Sequence, residues 1–406
     1  MTLHSTTTAD VRILTGTGDV ARAAALFRTA MVGFPPSAGR DMTDLHEPGR
    51  TLGAFMDGEL VGTADAYSSW LTVPGGARVP HAAVTHIGVL PTHTRKGLLT
   101  SLVHAQLADI AARGEVVASL RASEAVIYER FGYAIASRAA DFELDRRRAQ
   151  LRENLGGCGP VRLVNEASAR KLLADIYDKV SWTGSIDRPA YWWNQRQQWA
   201  ATAAGPSYLA VHGTPGAEDG FVGYHPANAA EWFGSRDRTV VVDDFVATSE
   251  RAYLGLTRHL AALDLLDTVR LPLRPVDDPL PLLFIDARSA RVTGVRDETW
   301  LRIVDVLAAL QLRAYRRTEP LVLGISDNLL PANSGTYRID AAGVQRSDEP
   351  ADISTDVAGL ASAYLGGVRW RALSTAGRAR EHRPGALAAA DELFATATEP
   401  FSGTGF

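Results

Sequence analysis

The chain has 406 residues, 46% of them hydrophobic and 22% charged, which is typical of a globular protein with two or three domains. Its net charge of −4 gives no reason to expect the basic surface that binds a nucleic-acid backbone, so we expect no nucleic-acid partner. The single cysteine excludes an internal disulfide framework and a cysteine-based zinc cluster, and we assign no metal ligands. With no apolar run near the roughly 20 residues of a membrane span and no secretory signal pattern, we expect a cytoplasmic protein.

The first 145 or so residues alternate strand and helix patterns. Two strand-like runs, residues 51–57 and 59–67, meet at Asp57-Gly58, a dipeptide that strongly favours a tight hairpin turn. Apolar residues at intervals of three and four predict helices on either side of this hairpin. In chain order we expect a strand near residues 11–14, a helix over 19–31, the hairpin, a strand over 82–89, a helix from Leu98 that stops at Gly114, a strand over 116–120 and a short helix over 123–130.

A break at Gly156-Gly157 introduces a middle segment whose order of elements echoes the first. It lacks a glycine-led turn from strand to helix, and its aromatic cluster Tyr191-Trp192-Trp193 is interpreted as packing or an interdomain contact. A third segment follows residue 286. There the patterns predict a strand and helix within residues 300–312, strands over 321–326 and 337–340, and helices over 356–365 and 384–394.

The most informative stretch is residues 84–103, where a strand runs directly into Arg95-Lys96-Gly97 and then into an amphipathic helix. The first N–H groups of a helix have no internal partner and lie at its positive end, so a pyrophosphate placed there accepts them. A glycine at position 97 lets phosphates approach the backbone, and Arg95 and Lys96 add positive charge. For this motif alone, a tight strand-to-helix turn without a ligand is an equal alternative.

Two partial signatures resemble those of the GCN5-related N-acetyltransferase (GNAT) superfamily. The first, Gln/Arg-x-x-Gly-x-Gly/Ala, is matched at its central Gly97, whereas Thr94 and Leu99 stand at its first and last positions. About 30 residues on, ASEAVIYERFGYAIAS resembles the superfamily's short helix, whose tyrosine precedes a Phe-Gly-Tyr turn. The two signatures occur in the right order and spacing, and together they indicate an acetyl-CoA site.

A more specific resemblance is to the enhanced intracellular survival (Eis) family of aminoglycoside N-acetyltransferases. Residues 91–99, PTHTRKGLL, resemble that family's PTHRRRGLL turn, and Ser123-Glu124 resemble the pair before its tyrosine helix. The similarity continues through residues 301–306 and 326–339 to the last residue, Phe406. It implies an α/β (α+β) fold in three parts: a catalytic GNAT domain over residues 1–150, a GNAT-like domain without a cofactor turn over 151–292, and a sterol-carrier-protein-like domain over 293–406. In the family, the tail of the third domain enters the first domain's active site, and homohexamers are usual.

The same resemblance implies the roles of the site residues. A substrate amine attacks the acetyl thioester directly, the hydroxyl of Tyr128 is the general acid that protonates the departing thiolate, and the terminal carboxylate of Phe406 is the general base. A tyrosine that only packs in the core, and an unused chain end, are the alternatives. His86 precedes the cofactor strand and either faces the substrate pocket or is a structural histidine. Acetyl-CoA, the cosubstrate, is expected to contact Ile87, Gly88 and Val89 through its pantetheine, Arg95, Lys96, Gly97, Leu98, Leu99 and Thr100 through its pyrophosphate, and Ser123 and Glu124 near its thioester arm.

We therefore expect an N-acetyltransferase that acts on small cationic amines, the amino groups of aminoglycosides or related polyamines. Two alternatives are acetylation of lysine side chains or peptides, and a non-enzymatic protein that binds acyl-CoA or lipid in its third domain. Some members of the family place an acidic residue beside the chain end to hold amines. Thr404 and Gly405 stand there in this chain, so the residues do not fix which amine is preferred.

Overall fold

A computed structural model describes residues 10–34, 44–202, 205–235, 237–316 and 319–406, and their strands form sheets of seven, seven and five strands. The predicted α/β fold is confirmed. The first segment contains β1 (Asp10–Ile13), α1 (Thr17–Ala30), β2 (Leu52–Met56), β3 (Glu59–Thr72), β4 (Arg78–Val89), α2 (Leu98–Ala112), β5 (Val117–Leu120), α3 (Ala125–Tyr128) and β6 (Ala134–Ile135).

The middle and last segments supply the remaining elements. The middle segment contains β7 (Arg138–Asp145), β8 (Val161–Val164), α4 (Glu166–Tyr177), α5 (Ala190–Thr202), β9 (Tyr208–His212), β10 (Gly220–Pro226), β11 (Thr239–Ala247), α6 (Glu250–Ala262), β12 (Thr268–Pro275) and β13 (Ala290–Asp297). The last contains β14 (Trp300–Ile303), α7 (Val306–Leu312), β15 (Leu321–Ser326), β16 (Gly335–Asp340), β17 (Gly343–Ser347), β18 (Ile353–Asp356), α8 (Val357–Tyr364), α9 (Trp370–Thr375), β19 (Ala379–Glu381) and α10 (Ala386–Phe394). Within the described residues, no helix combines the length and apolarity needed to cross a bilayer.

The hairpin predicted at Asp57-Gly58 is present between β2 and β3. Both turn residues have positive φ, 51° and 82°, which is the backbone geometry of the two-residue turns that match the twist of paired strands. Asparagine, aspartate and glycine adopt a positive φ at low energetic cost, which is why the Asp-Gly dipeptide predicts this turn.

The first sheet includes a strand from the last segment. It has the order β1-β2-β3-β4-β5-β14-β6, so β14 is inserted beside β5, with Trp300 opposite Leu120. The second sheet has the order β13-β7-β12-β11-β10-β9-β8, in which β7, the strand that directly follows the first segment, lies next to the edge. The third sheet, β17-β16-β15-β18-β19, is built from the last segment alone.

A buried ion pair joins the inserted strand to the last segment. Arg302 of β14 donates from Nη2 to both oxygens of Asp327 at 2.8 Å, and the side chains are 0% and 1% exposed. Asp327 also accepts the N–H groups of Leu329 and Leu330 and the amide of Asn333, so its charge is fully hydrogen-bonded. Nε of Arg302 is buried without a hydrogen-bond partner among the described residues, so the pair is stabilised chiefly through the hydrogen bonds of Asp327.

Two irregularities of β4 prepare the site. It pairs with β5 in parallel only over three residues, His81 to Ala83, and then diverges from that strand. Near its end, two residues of β4, His86 and Ile87, oppose the single Ala64 of β3, which is a β-bulge. The bulge gives His86 a positive φ of 49°, an uncommon conformation for a residue other than glycine and one that redirects its side chain.

Candidate active site

The turn before α2 leaves main-chain donors open at the helix N-terminus. Arg95 and Gly97 are left-handed, with φ of 62° and 83°, and Gly97 is the N-cap without a side-chain cap. A Cβ built on Gly97 has no heavy atom within 4 Å, so the protein leaves the space above the turn unfilled. Among the described residues, no main-chain acceptor takes the N–H groups of residues 98–100. With Arg95 and Lys96 exposed beside them, these donors suit a pyrophosphate.

Ile87, Gly88 and Val89 lie on the arm of β4 that has left β5. Their opposite edge pairs with β3, through Gly88 with Thr63 and Val89 with Gly62. In the part of the chain that the structure describes, no strand pairs with the edge that faces β5, so its main-chain groups can bond an extended amide chain such as pantetheine. Gly88 is also fixed by packing, because an added Cβ would lie 3.0 Å from the Ala30 Cβ of α1.

Ser123 and Glu124 precede the short helix that carries Tyr128. Both are exposed, and Glu124 is the N-cap of α3, which begins two residues later than the predicted helix. The Tyr128 ring is buried, with Tyr133 in edge contact at 6.1 Å between ring centres. Burial, followed by the nearby Glu124 charge, raises the pKa of Tyr128 to about 12. The hydroxyl therefore keeps its proton, and can donate it, throughout neutral and mildly alkaline conditions.

The tail of the third domain is held first by Glu298, whose side chain is 0% exposed. Its two oxygens accept the main-chain N–H groups of Ser402 and Gly403, each at 2.9 Å. The hydroxyl of Ser137 donates to the same carboxylate at 2.8 Å, and Arg121 donates from 3.3 Å. A buried carboxylate that accepts this many hydrogen bonds fixes the direction of the tail.

A second anchor lies at Thr404, which is fully buried against the middle segment. Arg188 donates from Nε to its hydroxyl at 3.0 Å and from Nη2 to the Gly403 carbonyl at 3.0 Å. Because the Tyr177 hydroxyl gives its proton to the Ile186 carbonyl, the Thr404 hydroxyl must donate to Tyr177, 2.8 Å away. Asp244 holds the guanidinium in turn, at 2.6 and 3.2 Å.

These anchors bring Phe406 to a cavity of about 330 Å³ between the first and middle segments. The Trp192 indole donates to the Gly405 carbonyl at 2.7 Å, and the Phe406 ring meets Tyr67 edge-on at 5.8 Å. The Arg121 guanidinium lies 5.7 Å from the Phe406 ring centre. The cavity is lined from the loop before β2 and from β3, β4 and α5, by residues that include Leu45, Ala66, Thr85 and Gln195.

Two carboxylates line this cavity besides the chain end. Glu47 accepts the N–H and hydroxyl of Ser68 at 2.6 and 2.8 Å and the Tyr191 hydroxyl at 3.0 Å. Asp65 is buried, which alone would raise its pKa, but the hydrogen bond from His46 and the nearby His86 ring outweigh burial and hold the pKa of Asp65 well below its usual range. The cavity therefore presents carboxylate oxygens, which favour a cationic ligand.

The structure brings some of the predicted residues together and adds others. His86 and Phe406 line the same cavity, whereas Tyr128 is not one of its lining residues and lies in the buried cluster behind β4. Tyr191 and Trp192, interpreted from the sequence as packing or interdomain residues, also line the cavity, and Trp193 alone of that cluster belongs to a buried core. Asp65 and Glu47 belong to no sequence motif. Their only signal is a charged residue inside or next to a strand that is otherwise apolar.

The middle segment repeats the arrangement without its cofactor turn. There β11 and β12 pair in parallel over only Thr239 to Val241, and β11 leads into α6 as β4 leads into α2. The N-terminus of α6 is closed by Ser249, whose hydroxyl accepts the Ala252 N–H at 3.0 Å, and Glu250 adds negative charge in the first turn. Both features oppose a phosphate.

A strand that splays from its parallel neighbour beside an open, glycine-led helix N-terminus defines the acyltransferase domain of the GNAT superfamily. Acetyltransferase (GNAT) domain families match residues 10–136 and 184–303, and a sterol carrier protein domain family matches residues 306–403. The molecule is a tandem-GNAT N-acetyltransferase with a sterol carrier protein domain. GNAT acetyltransferases use acetyl-CoA as cosubstrate.

Within that class the chain belongs to the Eis family. It is 33% identical over 363 residues to N-acetyltransferase Eis of Mycobacterium tuberculosis, covering 85% of each chain. It is 32% identical over 395 residues to an uncharacterized N-acetyltransferase of Streptomyces avermitilis, covering 92% of this chain and 93% of that one. The crystal structure of Eis1 from Mycobacterium abscessus superposes with a TM-score of 0.92 at 50% identity, over 98% of this chain and 100% of that one. The family resemblance stated from the sequence is confirmed.

Gly97→Ala should weaken acetyl-CoA binding more than it weakens the fold. The matched control is Gly114→Ala at the other end of α2, because that glycine also has positive φ, 74°, and open space around an added Cβ. Each variant should lose about 1–2 kcal/mol of stability from left-handed strain. Only Gly97→Ala should raise the Kd for acetyl-CoA, by roughly tenfold, the loss of one hydrogen bond to a charged group. Calorimetry measures both quantities, and equal Kd changes in the two variants would contradict the placement of the pyrophosphate.

Glu298→Gln should release the tail. An amide presents one donor face to the two N–H groups of Ser402 and Gly403, so one bond becomes a donor–donor contact at a cost of about 1.5–3 kcal/mol. Carboxypeptidase should then remove Phe406 at least roughly tenfold faster, as that free energy implies. Glu349→Gln, at an exposed pair with Arg338, is the control and should leave the rate unchanged. Unaltered protection in Glu298→Gln would show that the contacts of Arg188 and Trp192 suffice.

Proposed function

We propose that the protein transfers an acetyl group from acetyl-CoA directly to amino groups of aminoglycosides or related polyamines. The observation that carries this proposal is the charge of the cavity. Asp65, Glu47 and Phe406 line one space, next to the strand and turn assigned to the cosubstrate. A polycation gains from that field before any contact forms, and uncharged acceptors do not.

In this proposal main-chain groups and nearby side chains bind the cosubstrate along its length. The N–H groups that follow Gly97, with Arg95 and Lys96, hold the pyrophosphate, and the open edge of residues 87–89 holds the pantetheine. Ser123 and Glu124 lie beside the thioester arm. The positive turn and the negative cavity attract opposite charges, so each substrate is directed to its own side of β4.

Phe406 and Tyr128 have complementary proton roles. The Phe406 carboxylate accepts a proton from the attacking nitrogen, and the Tyr128 hydroxyl donates one to the sulfur as the C–S bond breaks. The raised pKa of Tyr128 keeps that hydroxyl protonated over the working range of pH. Anchoring of the tail at Glu298 and Thr404 supports the first role, because a base must be held in a fixed position to act.

The cavity is partly open to solvent. In this proposal one amine-bearing end of the substrate enters it, and the remainder of a larger polyamine lies outside. We also propose a homohexamer, following the family resemblance, and light scattering of the purified protein tests it.

A panel of amines tests the function. With saturating acetyl-CoA, thiol release should be rapid with aminoglycosides and polyamines and at least roughly tenfold slower in kcat/KM with monoamines, because each additional ammonium interacts with the cavity carboxylates by about 1 kcal/mol or more. High salt should reduce the difference. Preference for lysine peptides would favour the alternative acceptor. Lack of turnover on every amine, with tight lipid binding by the third domain, would favour a binding protein.

Deletion of Phe406 should lower kcat by roughly 10²–10⁴-fold, the usual contribution of a general base. The Kd for acetyl-CoA should change little, because the turn at Gly97 is untouched. Phe406→Leu is the matched control, since it removes the ring and keeps the carboxylate, and it should retain most of the activity. Single-turnover rates and calorimetry measure these quantities. Equal losses in the two variants would show that the ring, and not the carboxylate, is needed.

A further inference from the structure

A second set of proton-accepting groups lies in the same cavity, on Asp65, His46 and His86. Asp65 accepts at Oδ1 from the Thr51 hydroxyl and from the Ala66 N–H, both at 3.0 Å. At Oδ2 it meets Nδ1 of His46 at 2.5 Å and faces Nδ1 of His86 at 3.7 Å. The side chains are 8% exposed for His46, 5% for Asp65 and 27% for His86, so the cluster opens to the cavity on the His86 side.

The hydrogen bonds fix the protonation of the inner pair. Asp65 is held ionised, so at 2.5 Å His46 must donate from Nδ1. Nε2 of His46 is buried without a partner among the described residues. His46 is thus engaged through Nδ1 alone, and its role is to orient the carboxylate.

His86 is the member placed to exchange a proton with a ligand. Its Nδ1 is buried, faces Asp65 and has no hydrogen-bond partner among the described residues. An N–H on Nδ1 can therefore point toward the Asp65 carboxylate. His86 lies in the bulge of β4 together with Ile87, the first residue assigned to the pantetheine. Phe27 packs edge-on at 4.8 Å between ring centres and limits the ring's rotation. A histidine backed by a buried carboxylate is the usual arrangement of a general base.

These three side chains also form a group with the residue types of a metal site, with ligand atoms within 4.8 Å of one another. Their spacing suits proton transfer better. Ligands about 2.0–2.2 Å from one ion lie roughly 3 Å or more apart, whereas His46 and Asp65 are at 2.5 Å, a hydrogen-bonded distance.

The proton balance of the proposed reaction gives a second acceptor a role. An ammonium has three protons and the amide product has one, so two protons leave the nitrogen. Tyr128 returns one proton to the coenzyme A thiolate, and one is released to solvent. A single carboxylate at Phe406 holds one proton at a time. A terminal carboxyl group, whose pKa in free peptides is about 3.5, is also a weaker base toward an ammonium than an imidazole, whose pKa is about 6.5.

We propose that Nε2 of His86 takes the first proton, converting the bound ammonium to the amine, with Asp65 stabilising the imidazolium and His46 holding Asp65. This inference rests on the proposed function. The neutral amine then forms the C–N bond with the acetyl carbonyl carbon. Phe406 takes the second proton from that nitrogen, the C–S bond breaks, and Tyr128 protonates the sulfur. Phe406 restores the proton of Tyr128, and His86 returns its proton to solvent.

The surroundings determine how this route depends on pH. Asp65 and Tyr67 face His86 from β3, His46 and Glu47 from the loop before β2, Tyr191 from α5, and the chain end at Phe406 from the tail. Glu47 is engaged by Ser68 and Tyr191, so Asp65 is the anion that directly supports the imidazolium.

The test compares a strongly basic amine with one that is neutral at the assay pH, an alkoxyamine, in the full-length protein. His86→Asn keeps a residue that tolerates positive φ. Its kcat at neutral pH should fall by roughly 10²-fold with the basic amine, the lower end for loss of a general base, and by less than about threefold with the alkoxyamine. His225→Asn is the matched control, because His225 also bonds an aspartate, Asp243 at 2.9 Å, and lies outside the cavity. It should change neither rate.

Other measurements keep the inference testable if His86→Asn does not fold. In the wild-type protein, kcat/KM should decrease as the pH is lowered below neutrality for the basic amine, and it should not decrease for the alkoxyamine. Equal losses with both amines, no loss with either, or the same acidic limb for both would overturn the proton route alone. Activity lost on chelation and restored by Zn²⁺ would identify a metal site instead. A wild-type protein inactive on every amine would overturn the proposed function as well, and the two failures are thus distinguishable.

Discussion

The carboxylate of Glu298 holds the strand junction of the first sheet and the tail of the third domain in one place. It receives main-chain donors from Ser402 and Gly403 and a hydroxyl from Ser137, and it is closed to solvent. The positions of the residues after Gly403 depend on the direction in which the tail leaves Glu298. Thr404 can reach Arg188, and Phe406 can reach the cavity, only because the tail leaves Glu298 as it does. Since an unpaired buried carboxylate is costly, the fold strongly favours the docked tail over a displaced one.

Basic and acidic side chains occupy different parts of the site. Arg95, Lys96 and the open helix end follow β4, whereas Asp65 and Glu47 line the cavity. The bulge at His86 lies near the end of β4, before the turn. If the proposed function is correct, this separation reduces the competition of the anionic cosubstrate and the cationic acceptor for each other's site.

Local patterns predicted the parts of this fold that depend on neighbouring residues. The hairpin at Asp57-Gly58 and the turn at Gly97 follow from backbone conformations that few residue types adopt, so the sequence indicates them directly. The insertion of β14 beside β5 could not be predicted in this way, because strand partners distant in the chain leave no periodic signal. For the same reason Asp65, Glu47 and Tyr191 were not assigned to the site. Each is ordinary in its own segment and becomes a cavity residue only through contacts between segments. The proposed roles of Tyr128 and Phe406 follow from the family resemblance, because no local pattern indicates a proton donor or acceptor at either position.

The position of β14 in the first sheet delays the completion of that sheet during synthesis of the chain. The partner of Leu120 is Trp300, which is synthesised roughly 180 residues later. At about 5–20 residues per second, the interval between the two is on the order of 10–40 s. During that interval β5 has an open edge and an uncovered apolar face, conditions that favour pairing with other chains. The middle sheet is also completed late, because β7, the first of its strands in the chain, pairs with β12 and β13, which follow more than 100 residues later. Production of this protein should therefore depend on the rate of translation and on chaperones more than its ordinary composition suggests.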